Sequence, residues 1–242
     1  WVGEVKPDAL RQLILDLKEL HPDSYTNAPA HLAALTKLEN TLADDASGAI
    51  PPSAVKKQLK ALQKEVLLFD VTEMVTIQRH EIVASHVYTY HYEGFKPGGG
   101  LYRVKGNKFT ELVSTETGQI LDCDLSYDGT TILFSWRRTR DEGYHLWTIK
   151  TDGTGLARLT DGRWHDYNAC WLPDGGIAFL STRSPQFAYC WHAPVGTVYR
   201  MEADGSNVIQ LSANYLNDFT PYPLANGRII YSRWEYVDKP AI

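Results

Sequence analysis

Apolar residues recur at helical spacing through the first 68 residues and then change period. Leu10, Leu13, Ile14, Leu17 and Leu20 share one face of a helix predicted over 7–20, opened by Pro7 and Asp8 and stopped at His21-Pro22. Leu32, Leu35, Leu38 and Leu42 mark a second helix, opened near Asn27 and Pro29 and closed by the polar run 44–48. Val55, Leu59, Leu62 and Val66 mark a third, after Pro51, Pro52 and Ser53. Each stripe is amphipathic, so each helix needs a partner surface.

From Leu67 onward the apolar residues come in short β-branched or aromatic runs broken by Gly, Asp and Asn. All seven Phe, 13 of 14 Tyr and six of seven Trp lie after residue 68, which is strand composition. The runs repeat. One signature reads LSYDGTTILFSW at 125–136, WLPDGGIAFLSTR at 171–183 and PLANGRIIYSRWE at 223–235. Its turns, Asp128-Gly129, Asp174-Gly175 and Asn226-Gly227, supply the positive φ angles of two-residue hairpins. A second signature, LWTIKTDGTGLARLT at 146–160 and VYRMEADGSNVIQLS at 198–212, alternates with the first, and LYRVKGNKFTELV at 101–113 is a shorter copy. Two hairpins per unit make a four-stranded propeller blade. The fold class expected is mainly β: about three and a half four-stranded blades of a β-propeller in 69–242, preceded by a small α-helical region in 1–68. The blades are placed at 69–113, 124–160 and 171–212, with a fourth opening near 223. Because a ring needs at least ~4 blades, the natural protein is expected to continue past Ile242. The start at Trp1 instead of Met likewise implies a segment upstream.

Charge and cysteine usage narrow the function. The 242 residues carry a net charge of −5, which argues against nucleic acid as a partner because phosphate binding needs a basic surface. No apolar run is long enough to span a membrane. Three cysteines, Cys123, Cys170 and Cys190, fit neither a disulfide scaffold nor a paired metal motif. They read as buried thiols, with a Cys170–Cys190 bridge open in an oxidising compartment.

The repeat strings at 171–183 and 198–212 resemble the TolB-type, WD40-like propeller repeat over about 145 residues. The helical start, the stretch from Leu67 to Val104 and the stretch 218–238 are similar to a narrower family, bacterial proteins like the middle domain of the hydrazine synthase alpha subunit. That resemblance implies an exported, periplasmic protein in which a c-type haem region docks on the propeller. The chain itself has no CxxCH, so haem c is expected only in a region outside it, and this segment alone is not expected to catalyse. A thioether from Cys123, Cys170 or Cys190 to a haem edge is conceivable on the same resemblance.

Several residues stand out as candidate sites. Asp166 and Asp218 lie eight residues before the Asx of the next turn, where TolB-type repeats carry an Asp. Such an Asp fixes the loop by accepting backbone N–H bonds, or holds a cation or ligand. His165 beside Asp166 is the best metal-like dyad for a divalent ion, although a full site needs three or four ligands. His86, with Ser85, Tyr88, His80 and His91 nearby, is either structural or a ligand contact. The glycine run 98–100 permits unusual φ values but lacks the Lys-Ser/Thr of a phosphate loop. The insertion 184–196, with Cys190, Trp191 and His192, suits a protein partner. Its Cys–His pair has no orienting third group. Trp136, Arg137, Arg138, Arg140 and Arg183 form either surface Trp–Arg stacks or an anion site at the channel mouth.

Three function classes follow. The first is a scaffold that presents a channel mouth and loops to a protein partner or haem domain. The second is part of a haem- or metal-dependent oxidoreductase, in which His86, His165, Asp166 and Asp218 converge at the axis. The third, the propeller of a prolyl-peptidase-like hydrolase, needs a catalytic domain elsewhere, and fold alone does not supply it.

Overall fold

The computed structural model describes residues 5–43, 52–106, 108–189 and 192–235. It divides into two compact units, Trp1–Thr72 and Glu73–Ile242. The first unit holds helices α1 (Pro7–Leu20), α2 (Ala28–Ala43) and α3 (Pro52–Leu67). Their apolar stripes meet in one core of Leu10, Ile14, Leu35, Val55, Leu59, Leu62 and Val66, with Tyr25 and Ala28. Leu20 stays exposed because it ends its helix, beyond the reach of this core. The run 44–48 lies outside the described residues.

Among its described residues the second unit is all β apart from one helical turn, α4 (Tyr90–Glu93). The thirteen strands among its described residues form four consecutive antiparallel sheets. The first holds β1 (Glu73–Gln78), β2 (Gly100–Lys105) and β3 (Lys108–Ser114). The second runs β4 (Gln119–Leu125), β5 (Thr131–Arg137), β6 (His145–Lys150) and β7 (Ala157–Arg158). The third repeats it with β8 (Asp166–Trp171), β9 (Ile177–Ser181), β10 (Thr197–Met201) and β11 (Ile209–Gln210). The fourth is β12 (Asp218–Pro223) with β13 (Ile229–Arg233). This is a partial propeller. Consecutive blades pack through apolar faces: Leu101, Ile120, Ile132, Phe134 and Trp147 in one layer, Leu133, Leu146, Ile177, Phe179 and Met201 in the next.

Three expectations need adjusting. The innermost strand of a blade precedes its Asx-Gly turn, so the blades open at 119, 166 and 218 instead of 124, 171 and 223. The first blade has three strands among the described residues: β1 stands where the other blades have their second strand, and no inner strand precedes it in the sheet. The turns are also longer than two residues. Only Gly129, Gly175 and Gly227 take positive φ, at 71°, 85° and 80°. The preceding Asx acts through its side chain: Asp128 Oδ1 accepts from the backbone N–H of Thr130 at 3.0 Å, Asp174 Oδ1 from that of Gly176 at 3.0 Å, and Asn226 Oδ1 from that of Arg228 at 3.1 Å.

Each fully seen inner strand carries the same irregularity. The register slips between Ile120 and Asp122 in β4, between Tyr167 and Cys170 in β8, and between Phe219 and Tyr222 in β12. Asn168 and Thr220 hold the corresponding place in β8 and β12 with φ of 49° and 46°, unusual for residues with a Cβ.

Candidate functional site

Strand order puts two sets of loops at one end of the blades: residues 79–99, 138–144 and 182–196 between second and third strands, and 115–118, 159–165 and 211–217 leading into each next inner strand. The segment 79–99 lies across the starts of all three inner strands. At β4, Gln119 Nε2 donates to the Gly94 carbonyl at 3.4 Å. At β8, His91 stacks on Tyr167 with centroids 4.5 Å apart and an 11° interplanar angle, and the Tyr90 hydroxyl donates to Asn168 Oδ1. At the last blade, Tyr88 stacks on Trp234 at 4.6 Å, in a cluster with Ala188, Ala193, Val195 and Phe219. Gly98 and Gly99, at φ 119° and 99°, turn the chain back to β2, where the Gly98 N–H donates to the Gly118 carbonyl at 2.9 Å. A Cβ on Gly99 would stand 1.9 Å from the Gln78 carbonyl oxygen. The starts of the inner strands are therefore covered by the protein's own side chains.

Beneath that segment lies a buried polar cluster. The ring of His165 sits 5.5 Å from His91 and 6.0 Å from Tyr144, and the Tyr144 N–H donates to His165 Nδ1 at 3.3 Å. Burial pushes the His91 pKa down to about 4, and the Arg137 charge adds to it. Burial also pushes His165 down to about 3, with His91, Arg137 and His145 adding to it. Both rings are neutral at pH 7, which makes His165 Nδ1 an acceptor. The next blade copies this bond: Asn217 Oδ1 accepts from the Gly196 N–H at 2.8 Å. His165 and Asn217 thus perform one structural task in two chemistries.

Asp166 is fully buried. Its Oδ1 accepts from Arg183 Nη2 at 3.0 Å, and His145 Nδ1 stands 3.8 Å from Oδ2. Burial raises its pKa, but His145, the Arg183 charge and Ser181 outweigh that, and the carboxyl ends below the usual range. Arg183 is itself boxed by Trp164, Phe179 and Tyr199, with its guanidinium carbon 5.2–5.4 Å from the three ring centroids. Asp218, in the equivalent place one blade on, is held by the Ser212 hydroxyl and by Asn214 Nδ2 at 3.1 Å.

The structure therefore brings His165, Asp166 and Arg183 together and leaves Asp218 and His86 elsewhere. His86 lies on the exposed part of 79–99, its Nδ1 3.0 Å from Ser85 Oγ, while Ser85 donates to Glu93 at 2.6 Å. Among the described residues, no group of three or more His, Cys, Asp or Glu is arranged around one point. Cys170 is a free thiol, and burial, then Asp124 and Asp122, push its pKa up to about 12, so it is protonated at neutral pH. Its possible partner Cys190 lies outside the described residues.

Sequence reading missed Asp122. Its Oδ2 accepts from the Asn168 N–H at 3.0 Å and from Asn168 Nδ2 at 3.1 Å, and its Oδ1 from the Ser135 hydroxyl at 2.7 Å. Two residues on, Asp124 Oδ2 accepts from the Trp171 N–H at 2.8 Å. These two carboxylates stitch β4 to β8, and burial lifts Asp122 to a pKa of about 6. The alternation of polar residues in QILDCDL is the only signal of them in the sequence.

No family model and no curated protein sequence matches the chain. Solved structures do. Hydrazine synthase of Kuenenia stuttgartiensis matches at a TM-score of 0.56 and 15% identity, over 67% of this chain and 28% of that one. The fold is that of a β-propeller. TolB from Acinetobacter baumannii matches over 75% of this chain and 54% of its own, at 13% identity and TM-score 0.43. A puromycin hydrolase matches over 55% of this chain and 23% of its own, at 19% identity and TM-score 0.44. The propeller unit described here thus corresponds to only part of each of these proteins. No helix among its described residues is long and apolar enough to cross a membrane.

Proposed function

We propose that this chain is a non-catalytic propeller scaffold whose loop-bearing end holds a partner protein domain of an exported assembly. A c-type haem region is the partner that the sequence resemblance favours. The observation that carries the reading is the surface of that end. The starts of its inner strands are covered, and the loops around them expose Phe187 and Tyr189, at 62% and 70%, with the Tyr189 ring tilted against Tyr215 at 5.8 Å. Val83, Val87 and Tyr92 add exposed apolar surface from the segment 79–99. Aromatic side chains of this kind are enriched in protein interfaces.

The oxidoreductase reading asks for His86, His165, Asp166 and Asp218 at one point. In the fold, the Asp166 and Asp218 carboxylates hold separate blades and His86 sits in the outer loop. That distribution favours the scaffold.

The test is site-specific photo-crosslinking in the full-length natural protein. A photoreactive amino acid replaces Tyr189 or, as control, Tyr127, which is equally exposed at the opposite end of the blades. Adducts from position 189 to a haem-bearing region, absent from position 127, are expected. Adducts from position 127 alone, or from neither, overturn the reading.

A further inference from the structure

The geometry points to a docking site for an acidic protein segment on the second blade, formed by Arg138, Arg140 and Arg158. It does not depend on which partner occupies the loop-bearing end. The chain has more carboxylates than cations, 29 Asp and Glu against 24 Lys and Arg. Arg11, Arg103, Arg183, Arg200 and Arg233 pair with carboxylates. Arg138, Arg140 and Arg158 are exposed and take part in no ion pair among the described residues.

They are held in place by aromatic faces instead. The Arg138 guanidinium carbon lies 5.7 Å from the centroids of both Trp136 and Trp147, and that of Arg158 lies 5.8 Å from Trp147. The Arg140 guanidinium lies 5.6 Å from the Phe95 centroid. Arg137, immediately before Arg138, turns inward over Phe95 at 4.4 Å and clamps the loop through the Thr139 and Arg140 carbonyls. Thr117 Oγ1 donates to the Arg138 carbonyl at 3.1 Å. The loop is thus fixed from inside, and the Arg138 and Arg140 guanidinium groups stay open, while Arg158 donates through Nε to the Thr160 carbonyl at 2.7 Å and offers a partner its two Nη groups. Stacked guanidinium groups lose less freedom on pairing than free side chains, and they match carboxylates in bidentate geometry. Arg beside Trp is also the composition of interface hot spots. A surface of fixed, unpaired arginines on an otherwise acidic chain fits a partner segment rich in Asp and Glu.

The probe is a ten-residue glutamate peptide, with a ten-residue glutamine peptide as reference, followed by tryptophan fluorescence and calorimetry on the full chain. The glutamate peptide should bind saturably and the glutamine peptide should not. Affinity should fall at least about tenfold in R138Q/R140Q/R158Q and weaken with salt. The control K108Q/K150Q/R228Q removes the same charge from exposed positions outside the band and should bind like the parent. All six positions are at the surface, so circular dichroism should show an unchanged fold. Equal loss in both triple variants, no loss in the first, or no binding of the glutamate peptide overturns the site. Citrate binding as tightly as the peptide would assign the arginines to a free polycarboxylate. Self-association abolished by the first variant would assign them to a second copy. Either result also overturns the proposal.

Discussion

The Asp122 seam gives the sharpest quantitative consequence. A carboxyl raised from 3.8 to about 6 means that the folded protein holds the proton more tightly than the unfolded chain does. The resulting stability is fully present below pH 3.8 and is lost as pH rises through 6. The displacement corresponds to about 3 kcal/mol in total, of which about 2 kcal/mol falls between about pH 4.5 and about pH 7. Asp122→Asn removes the ionisation and keeps the bonds. Its oxygen can face the two Asn168 donors, and its amide can face Ser135 Oγ. Asp122→Ala leaves those donors buried without an acceptor, at about 3 kcal/mol or more. Urea unfolding followed by tryptophan fluorescence reports the β unit, which holds six of the seven Trp. The stability of the parent minus that of Asp122→Asn should fall by about 2 kcal/mol from about pH 4.5 to about pH 7. Other titrating groups cancel in the difference. A difference flat within about 0.5 kcal/mol over that range would refute the buried, proton-holding seam. So would an Asn variant as unstable as the Ala variant at every pH.

Other outcomes follow from the same contacts. His91 has the opposite sign: its stabilising contribution is present above pH 6.5 and is lost as pH falls toward about 4. His91→Phe should therefore lessen acid sensitivity in that window, and an imidazole NMR titration of the parent should show no His91 midpoint above about 5. Arg183→Met strands the Asp166 carboxylate and should cost about 3–5 kcal/mol, with Arg183→Met/Asp166→Asn recovering a large part. A loss under about 1 kcal/mol would remove Arg183 from the structural frame. Thr220→Gly relieves a β-branched residue at φ 46° in an exposed place and should gain about 1 kcal/mol by thermal unfolding. Gly99→Ala should fail to fold normally or lose about 3 kcal/mol or more, because φ is 99° and the Gln78 carbonyl occupies the Cβ position.

The blades were legible because their signals are local and repeated. Asp128-Gly129, Asp174-Gly175 and Asn226-Gly227 each close a turn with atoms two residues away. The inner strands were less legible, since Asp122, Asp124 and Asn168 are polar where an apolar strand residue is expected, and their partners lie on the neighbouring blade. The candidate site was legible only in pieces. The sequence singles out His165 as a metal-like ligand, and Asp166 and Arg183 as either structural groups or ligand contacts. The fold shows each engaged with the protein itself, through Tyr144, His145 and an aromatic box.

By itself, the sequence determined the helical stripes, the alternating hairpins and the propeller class. All of these rest on spacings of a few residues, which the backbone geometry of helix, strand and turn converts directly into pattern. Tertiary structure alone decided that residues 79–99 lie across the starts of the inner strands, that Asp122 joins β4 to β8, and that Arg183 turns inward while Arg138 and Arg140 stay open. Those contacts join positions as far apart as 78 and 46 residues. A charged side chain chooses between solvent, a buried partner and an aromatic face only after the blades have stacked and set the desolvation each must bear.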